Sequence, residues 1–383
     1  MRLLHTSDWH LGRTLHGASL LVAQRDFLHW MCGLAVARQV DAVVVAGDVY
    51  DRAVPPTDAV SLLDEVLVEL SRSQIPVLVT SGNHDSAIRL GFGRALHELA
   101  GVHLRTRVAD LADPVVLHDA DGPVGLYGIP YLLPDAVMAE LDAGRSHAAV
   151  LGAAATRIRA DASRRGVDRT VVAAHAFVTG ARPSESERDI CVGGIGDAPA
   201  AVFDGITYTA LGHLHGPQRL TDRVGYSGSP LAFSFSEVGH TKSVSIVQID
   251  GAGGIEVEAV PVPVHRGLAE VRGRLEDLLA RARTDLFGVA DRWVKVVLTD
   301  PQRPRAPMER LREVWPHTLV LDFQPAGAGT APAAALIRVS ENSEPLEICA
   351  AFVEWVDRTR PSAQQRGALE SAIDAVARAE LSA

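Results

Sequence analysis

At 383 residues, with 47% hydrophobic and 22% charged side chains, the chain is long enough for one large domain and a smaller one, and its composition is that of a globular protein. No apolar run reaches membrane-spanning length and no signal-peptide hydrophobic region follows Met1, so no membrane role is expected and the cytoplasm is the expected compartment. The net charge of −10 lacks the basic footprint of most nucleic-acid binders, and Cys32, Cys191 and Cys349 are too dispersed for a C-x-x-C zinc or redox pair.

In chain order, Arg2–Thr6, Asp41–Ala46 and Ile75–Thr80 read as short buried strands, each closed by polar residues or glycine. Leu20–Gln39 and Thr57–Ser73 between them have helical length and periodicity, the second starting after Pro55-Pro56. This β-α-β-α-β pattern predicts a layered α/β domain. Gly125–Ile129, Thr170–His175, Ile206–Leu211, Arg223–Ser227 and Ser243–Ile249 follow as strands separated by turns, which predicts a second, more antiparallel sheet. After Pro261-Val262-Pro263 the character changes. Residues 267–283 read as helix, Trp293–Leu298 as strand, Pro307–Val314 as helix and Thr318–Phe323 as strand, a small α+β unit. Pro325–Ala335 reads as a loop, and two amphipathic helices close the chain near Leu346–Val356 and Ala368–Leu381.

Five short elements carry chemistry, each at the carboxyl end of an expected strand, where open α/β sheets place ligand sites. They are Asp8-Trp9-His10, Gly47-Asp48, Gly82-Asn83-His84-Asp85, His175 and Gly212-His213-Leu214-His215. Carboxylate, amide oxygen and imidazole together suit Mn²⁺, Fe or Zn²⁺. D-x-H and H-x-H put alternate side chains on one side of an extended segment, so both members can face one cleft. Among 15 histidines a single such pair is unremarkable; all five elements in order, each after a strand, are not. The ten histidines outside these elements (5, 16, 29, 97, 103, 118, 147, 240, 265 and 317) read as surface or satisfied core residues, His16 beside Arg13 being the one candidate substrate contact. Only two of the 37 basic residues, Lys242 and Lys295, are lysines, and arginine's planar fork suits bidentate phosphate contacts.

The series D-x-H, G-D, G-N-H-D, H, G-H-x-H resembles that of the calcineurin-like metallophosphoesterases. Asp8-Trp9-His10-Leu11-Gly12 and Gly47-Asp48-Val49-Tyr50-Asp51-Arg52-Ala53-Val54-Pro55-Pro56 look specifically like the SbcD nuclease subunits of bacteria. The resemblance implies a layered β-sandwich nuclease domain flanked by helices (1–265), a small DNA-facing α+β capping domain (266–342) and a helical pair (343–383) that docks on an SbcC-type, SMC-like ATPase. It also implies a homodimer that cuts DNA ends and hairpins as exonuclease and endonuclease in repair and recombination. Two Mn²⁺ per chain are implied, with Mg²⁺, Fe or Zn²⁺ as alternatives. Asp8, His10, Asp48 and His215 would take one metal and Asp48, Asn83, His175 and His213 the other, with Asp48 bridging. His84 is the implied catalytic acid. Asp51 is expected to pair with it and raise its pKa, and Arg13, His16, Arg52 and Arg89 are candidate substrate contacts. Two rival readings stay open: a phosphomonoesterase, because Gly47-Asp48-x-x-Asp51-Arg52 is also a phosphatase pattern, and a non-catalytic DNA-end-binding scaffold.

Overall fold

The computed structural model describes residues 1–187, 197–264, 266–325, 344–357 and 359–380. They form two compact units, Met1–Glu270 with Asp291–Val294, and Val271–Ala290 with Lys295 onward. No helix among the described residues is long and apolar enough to cross a membrane.

The first unit opens with β1 (Arg2–Thr6), α1 (Leu21–Ala37), β2 (Ala42–Ala46), α2 (Thr57–Arg72) and β3 (Val77–Thr80). The short helices α3 (Ala87–Leu90) and α4 (Arg94–Leu99) lead to β4 (Val102–Arg105), β5 (Val115–Asp119) and β6 (Gly122–Ile129). There follow α5 (Pro134–Leu141), α6 (His147–Arg165), β7 (Arg169–His175), β8 (Tyr208–Gly212), β9 (Val224–Tyr226), β10 (Ser243–Ile249) and β11 (Ile255–Pro261). One sheet has the order β11-β10-β1-β2-β3-β4, parallel from β1 to β4. The other has the order Gln218–Arg219, β9-β8-β7-β6-β5. β2 shows what stacks them. Its side chains alternate, with Ala42, Val44 and Ala46 in the apolar layer between the sheets and Val43 and Val45 in the layer under α1 and α2. On the far side, α5 through Leu141 and α6 through Val150, Leu151, Ala154, Ala155 and Ile158 cover the second sheet. The architecture is a layered α/β sandwich with helices on both outer faces.

Two expectations need correction. The second sheet is parallel through β6, β7, β8 and β9 and antiparallel only at its edges, because α5 and α6 make the β6-to-β7 crossover. α6 escapes a periodicity reading because its buried stripe interleaves Val150, Leu151 and Ile158 with small Ala154, Ala155 and Ala162 and polar His147 and Asp161; it is fixed instead by its ends, where Ser146 Oγ accepts the Ala149 amide (3.1 Å) and Gly166 turns left-handed. Residues 267–283 are not one helix. They form β12 (Leu268–Gly273), in which buried Ala269 and Val271 alternate with exposed Glu270 and Arg272, and then α7 (Leu275–Arg281).

The second unit adds β13 (Trp293–Leu298), α8 (Pro307–Val314) and β14 (Thr318–Phe323), and its sheet has the order β12-β13-β14. The expected loop over Pro325–Ala335 lies, beyond residue 325, outside the described residues. α9 (Pro345–Asp357) and α10 (Ala363–Glu380) pack on each other. In α9 Leu346, Cys349, Val353 and Val356 are half-buried, whereas Phe352 is 62% exposed beside Ile348 and Trp355.

Candidate metal centre

The carboxyl ends of β1, β2, β3, β7 and β8 deliver Asp8, Asp48, Asn83, His175 and His213 to one place. The approach is so close that side chains are excluded at the turns. A Cβ on Gly212 would lie 1.8 Å from the Ala46 carbonyl oxygen, and one on Gly82 would lie 2.1 Å from Asp48 Oδ1. Asp8, His10, Asp48 and His213 all have positive φ, a conformation non-glycine residues hold only when their surroundings impose it. Asp85 supplies part of that imposition. Its carboxylate accepts the amides of Val49 (3.1 Å), Tyr50 (2.9 Å) and Gly82 (2.9 Å), locking the Asp48 loop to the loop after β3.

The donors converge. Asp8, His10 and His215 form one compact buried group, and Asp8, Asp48 and His175 another; Asp48 also groups with His10 and His84. His10 Nε2 lies 3.1 Å from His215 Nε2, the separation expected for two nitrogens about 2.1 Å from one ion at a near-right angle. His175 Nε2 lies 2.9 Å from Asn83 Oδ1 and 3.5 Å from Asp48 Oδ2. His213 stands edge-on to His175, ring centroids 5.4 Å apart. His175 Nδ1 donates to the Ala46 carbonyl (3.0 Å), which leaves its Nε2 bare toward Asp48.

The electrostatics match a cation site. Burial, then the neighbouring Asp48, raises the Asp8 carboxyl well above its usual range. Burial, then His215, pushes His10 well below the ordinary imidazole range; burial, then Lys242, does the same to His215, and burial pushes His175 down to about 3. Buried carboxylates that resist ionisation beside imidazoles that refuse protons make an arrangement that divalent cations complete.

The structure departs from expectation at Asp51. His84 Nδ1 donates to the main-chain carbonyl of Asp51 (2.8 Å), so the expected pair with the Asp51 carboxylate does not form. That carboxylate lies instead 3.8 Å from His10 Nδ1, 3.6 Å from Arg13 and 3.6 Å from Arg52. His84 Nε2 remains directed inward, 4.0 Å from Asp48 Oδ2. Arg13 is held over the Phe233 ring (4.7 Å) and donates to the Ser186 carbonyl (2.9 Å), while Arg52 is exposed. His16 is exposed and stacks on Phe235; Arg89 is an exposed residue of α3. Sequence reasoning missed the supporting groups Ser186, Glu187, Phe233, Glu237 and Lys242. Phe233 packs edge-on against both His10 and His215 (5.1 and 5.2 Å). Lys242 Nζ is buried, pairs with Glu237 and donates to the His215 carbonyl (2.9 Å). The one available signal was a lysine in an arginine-rich chain.

Because Asp48 belongs to more than one donor group, Asp48→Asn should abolish binding of divalent cations at both positions together, whereas retention of two ions per chain in calorimetric titration with Mn²⁺ would contradict a shared carboxylate. Loading must also displace a proton from Asp8, whose carboxyl is raised, and not from His175, already neutral above about pH 3. Mn²⁺ affinity should therefore rise with pH above the ordinary carboxylate range. Titrations in buffers of different ionisation enthalpy read that proton release, and a binding heat independent of buffer would refute it.

Residues 1–217 match the family model described as calcineurin-like phosphoesterase, and residues 264–354 match the SbcD-type model described as type 5 capsule protein repressor C-terminal domain. Among solved structures, the chain is similar to TT1561 of Thermus thermophilus, with 16% identity, 67% of this chain and 98% of that chain covered, and a TM-score of 0.41. It is also similar to a dimetal phosphatase from Danio rerio, with 13% identity, 68% and 96% covered, and a TM-score of 0.43. A further similarity is to the calcineurin-like phosphoesterase YfkN from Bacillus subtilis, with 12% identity, 69% and 90% covered, and a TM-score of 0.38. With more than half its length matched by the first model and the Asp/His cluster of a metal-dependent hydrolase in place, the chain belongs to the calcineurin-like phosphoesterase family.

Proposed function

We propose that this chain is a Mn²⁺-dependent DNA phosphodiesterase of the SbcD kind, acting as exonuclease and endonuclease with an SbcC-type ATPase. The observation that carries this reading is the combination of a buried Asp/His cluster in the phosphoesterase domain with an SbcD-type domain over residues 264–354. Asp8, His10, Asp48 and His215 hold one cation and Asp48, Asn83, His175 and His213 the other. Cations held there would supply Lewis-acid polarisation of a phosphodiester and lower the pKa of a water available for in-line attack. The chain's own residues do the rest. A carbonyl can only accept, so His84 carries its proton on Nδ1 toward Asp51, and Nε2 is the atom that takes up a proton and delivers it to the leaving oxygen. Asp51 anchors Arg13 and Arg52 beside His10, where their guanidinium groups receive the phosphate backbone.

Two surfaces support the partner readings. Ile88, Phe92, Leu96 and Leu99 on and between α3 and α4 are 74–88% exposed, an apolar patch fit to be covered by the same patch of a second copy in a two-fold dimer. In α9, Ile348, Phe352 and Trp355 form an open stripe at i, i+4 and i+7 spacing, suited to lie on a helical partner such as the coiled-coil base of an SbcC-type ATPase.

With Mn²⁺, the full chain should release nucleotides from end-labelled linear and hairpin DNA much faster than it hydrolyses para-nitrophenyl phosphate. His84→Ala should keep both metals and substrate affinity while losing about 10²–10⁴-fold in rate. The reverse substrate preference would favour the phosphomonoesterase drawn from Gly47-Asp48-x-x-Asp51-Arg52, and metal-loaded protein inert on both would favour the scaffold. For the partners, Phe92→Glu should convert a dimer to a monomer in sedimentation. Deleting 343–383 should abolish co-elution with the ATPase but leave Mn²⁺-dependent cleavage; co-elution of the truncated chain would overturn the docking assignment.

A further inference from the structure

His215 is held at its amide, its carbonyl and its ring, by residues far from it in sequence. Its amide donates to Glu187 Oε1 (2.7 Å), its carbonyl accepts from Lys242 Nζ (2.9 Å), and its Nδ1 meets Ser186 Oγ at 2.5 Å. The serine is itself tied in. Ser186 Oγ lies 2.8 Å from Ser184 Oγ, and Ser184 Oγ lies 2.7 Å from Glu187 Oε2, while Arg13 holds the Ser186 carbonyl from the other side at 2.9 Å. Ser186 is buried and Ser184 half-buried.

Donor and acceptor accounting gives this chain one direction. A carboxylate accepts, so the Ser184 hydroxyl hydrogen goes to Glu187. Ser184 oxygen can then only accept from Ser186, whose own hydrogen is thereby used. Ser186 oxygen is left as an acceptor, and the one donor His215 can offer it is Nδ1–H. The imidazole is fixed as the Nδ1–H tautomer, and its bare Nε2 faces His10 Nε2 at 3.1 Å. A metal-ligating histidine is ordinarily oriented by a carboxylate or carbonyl on its other nitrogen. Here the carboxylate acts at one remove, through two hydroxyls.

We propose that Ser186 is a positioning residue for one of the two cations, the inner end of a Glu187–Ser184–Ser186 relay that sets the tautomer and aim of His215. The segment carrying it is thus part of the metal centre although it contributes no ligand. The proposal rests on the dimetal reading of the cluster but not on the identity of the substrate.

The test uses the full-length chain and Mn²⁺ alone. In calorimetric titration, Ser186→Ala should leave one site at wild-type affinity and weaken the other about ten- to hundredfold. Ser186→Thr, which keeps the hydroxyl, should restore it, and ¹⁵N NMR of the metal-free wild type should show His215 protonated on Nδ1, with tautomers mixed in Ser186→Ala. Circular dichroism checks folding. Should Ser186→Ala misfold, Ser184→Ala breaks the same relay at a less buried position and is expected to give the same selective loss. Wild-type affinity at both sites in Ser186→Ala or Ser184→Ala would overturn the relay, as would an Nε2–H tautomer in the wild type. A wild type that binds no Mn²⁺ would overturn the metal centre itself, an outcome separate from failure in the variants alone.

Discussion

Everything in the first unit is arranged around one unfavourable juxtaposition: Asp8 and Asp48, buried side by side where the strand ends of two sheets converge. Two carboxylates at that spacing in a low-dielectric interior oppose each other's ionisation. Around the pair stand imidazoles kept neutral by burial, an arrangement that divalent cations complete. The strand-end glycines, the Asp85 clamp and the fixed tautomers follow from that choice, because a site to be completed by small cations needs donors set to a few tenths of an ångström before they arrive.

The chemistry is spoken in short words and the architecture in long ones, which decides what the sequence could disclose. Asp8-Trp9-His10 and Gly212-His213-Leu214-His215 are legible because each motif spans only a few residues and directly follows a strand. The strands themselves are legible where both faces are buried and the run is β-branched, as in β2. α6 was not, since small and polar residues interleave with the apolar ones along its buried stripe. Asp51 shows a different limit. Its nearness to His84 could be anticipated, but whether a residue offers its side chain or its main chain is decided by backbone geometry that composition does not encode.

The groups that hold the ligands were the least legible. Glu187 and Lys242 are separated from His215 by 28 and 27 positions, and serines, glutamates and a lysine in loops have no pattern to mark them. Burial identifies them. A lysine driven below its ordinary pKa by burial, kept charged by Glu237 and donating to the His215 carbonyl and Ser229 Oγ, is costly to maintain unless the loop it pins must not move. The contrast with the exposed Arg52 is instructive. A cation at the rim faces solvent, whereas the buried one serves the frame.

The positive φ angles of Asp8, His10, Asp48 and His213 place strain of roughly 1 kcal/mol or more at each of four residues that also carry donor atoms. Glycine at any of them would relax the backbone and delete a donor in the same stroke. At these four positions conformational stability can be gained only by giving up a donor. Selection for a hardier chain would have to act on the helical layers and the surface, leaving the centre as the permanently uncomfortable part of an otherwise well-packed molecule.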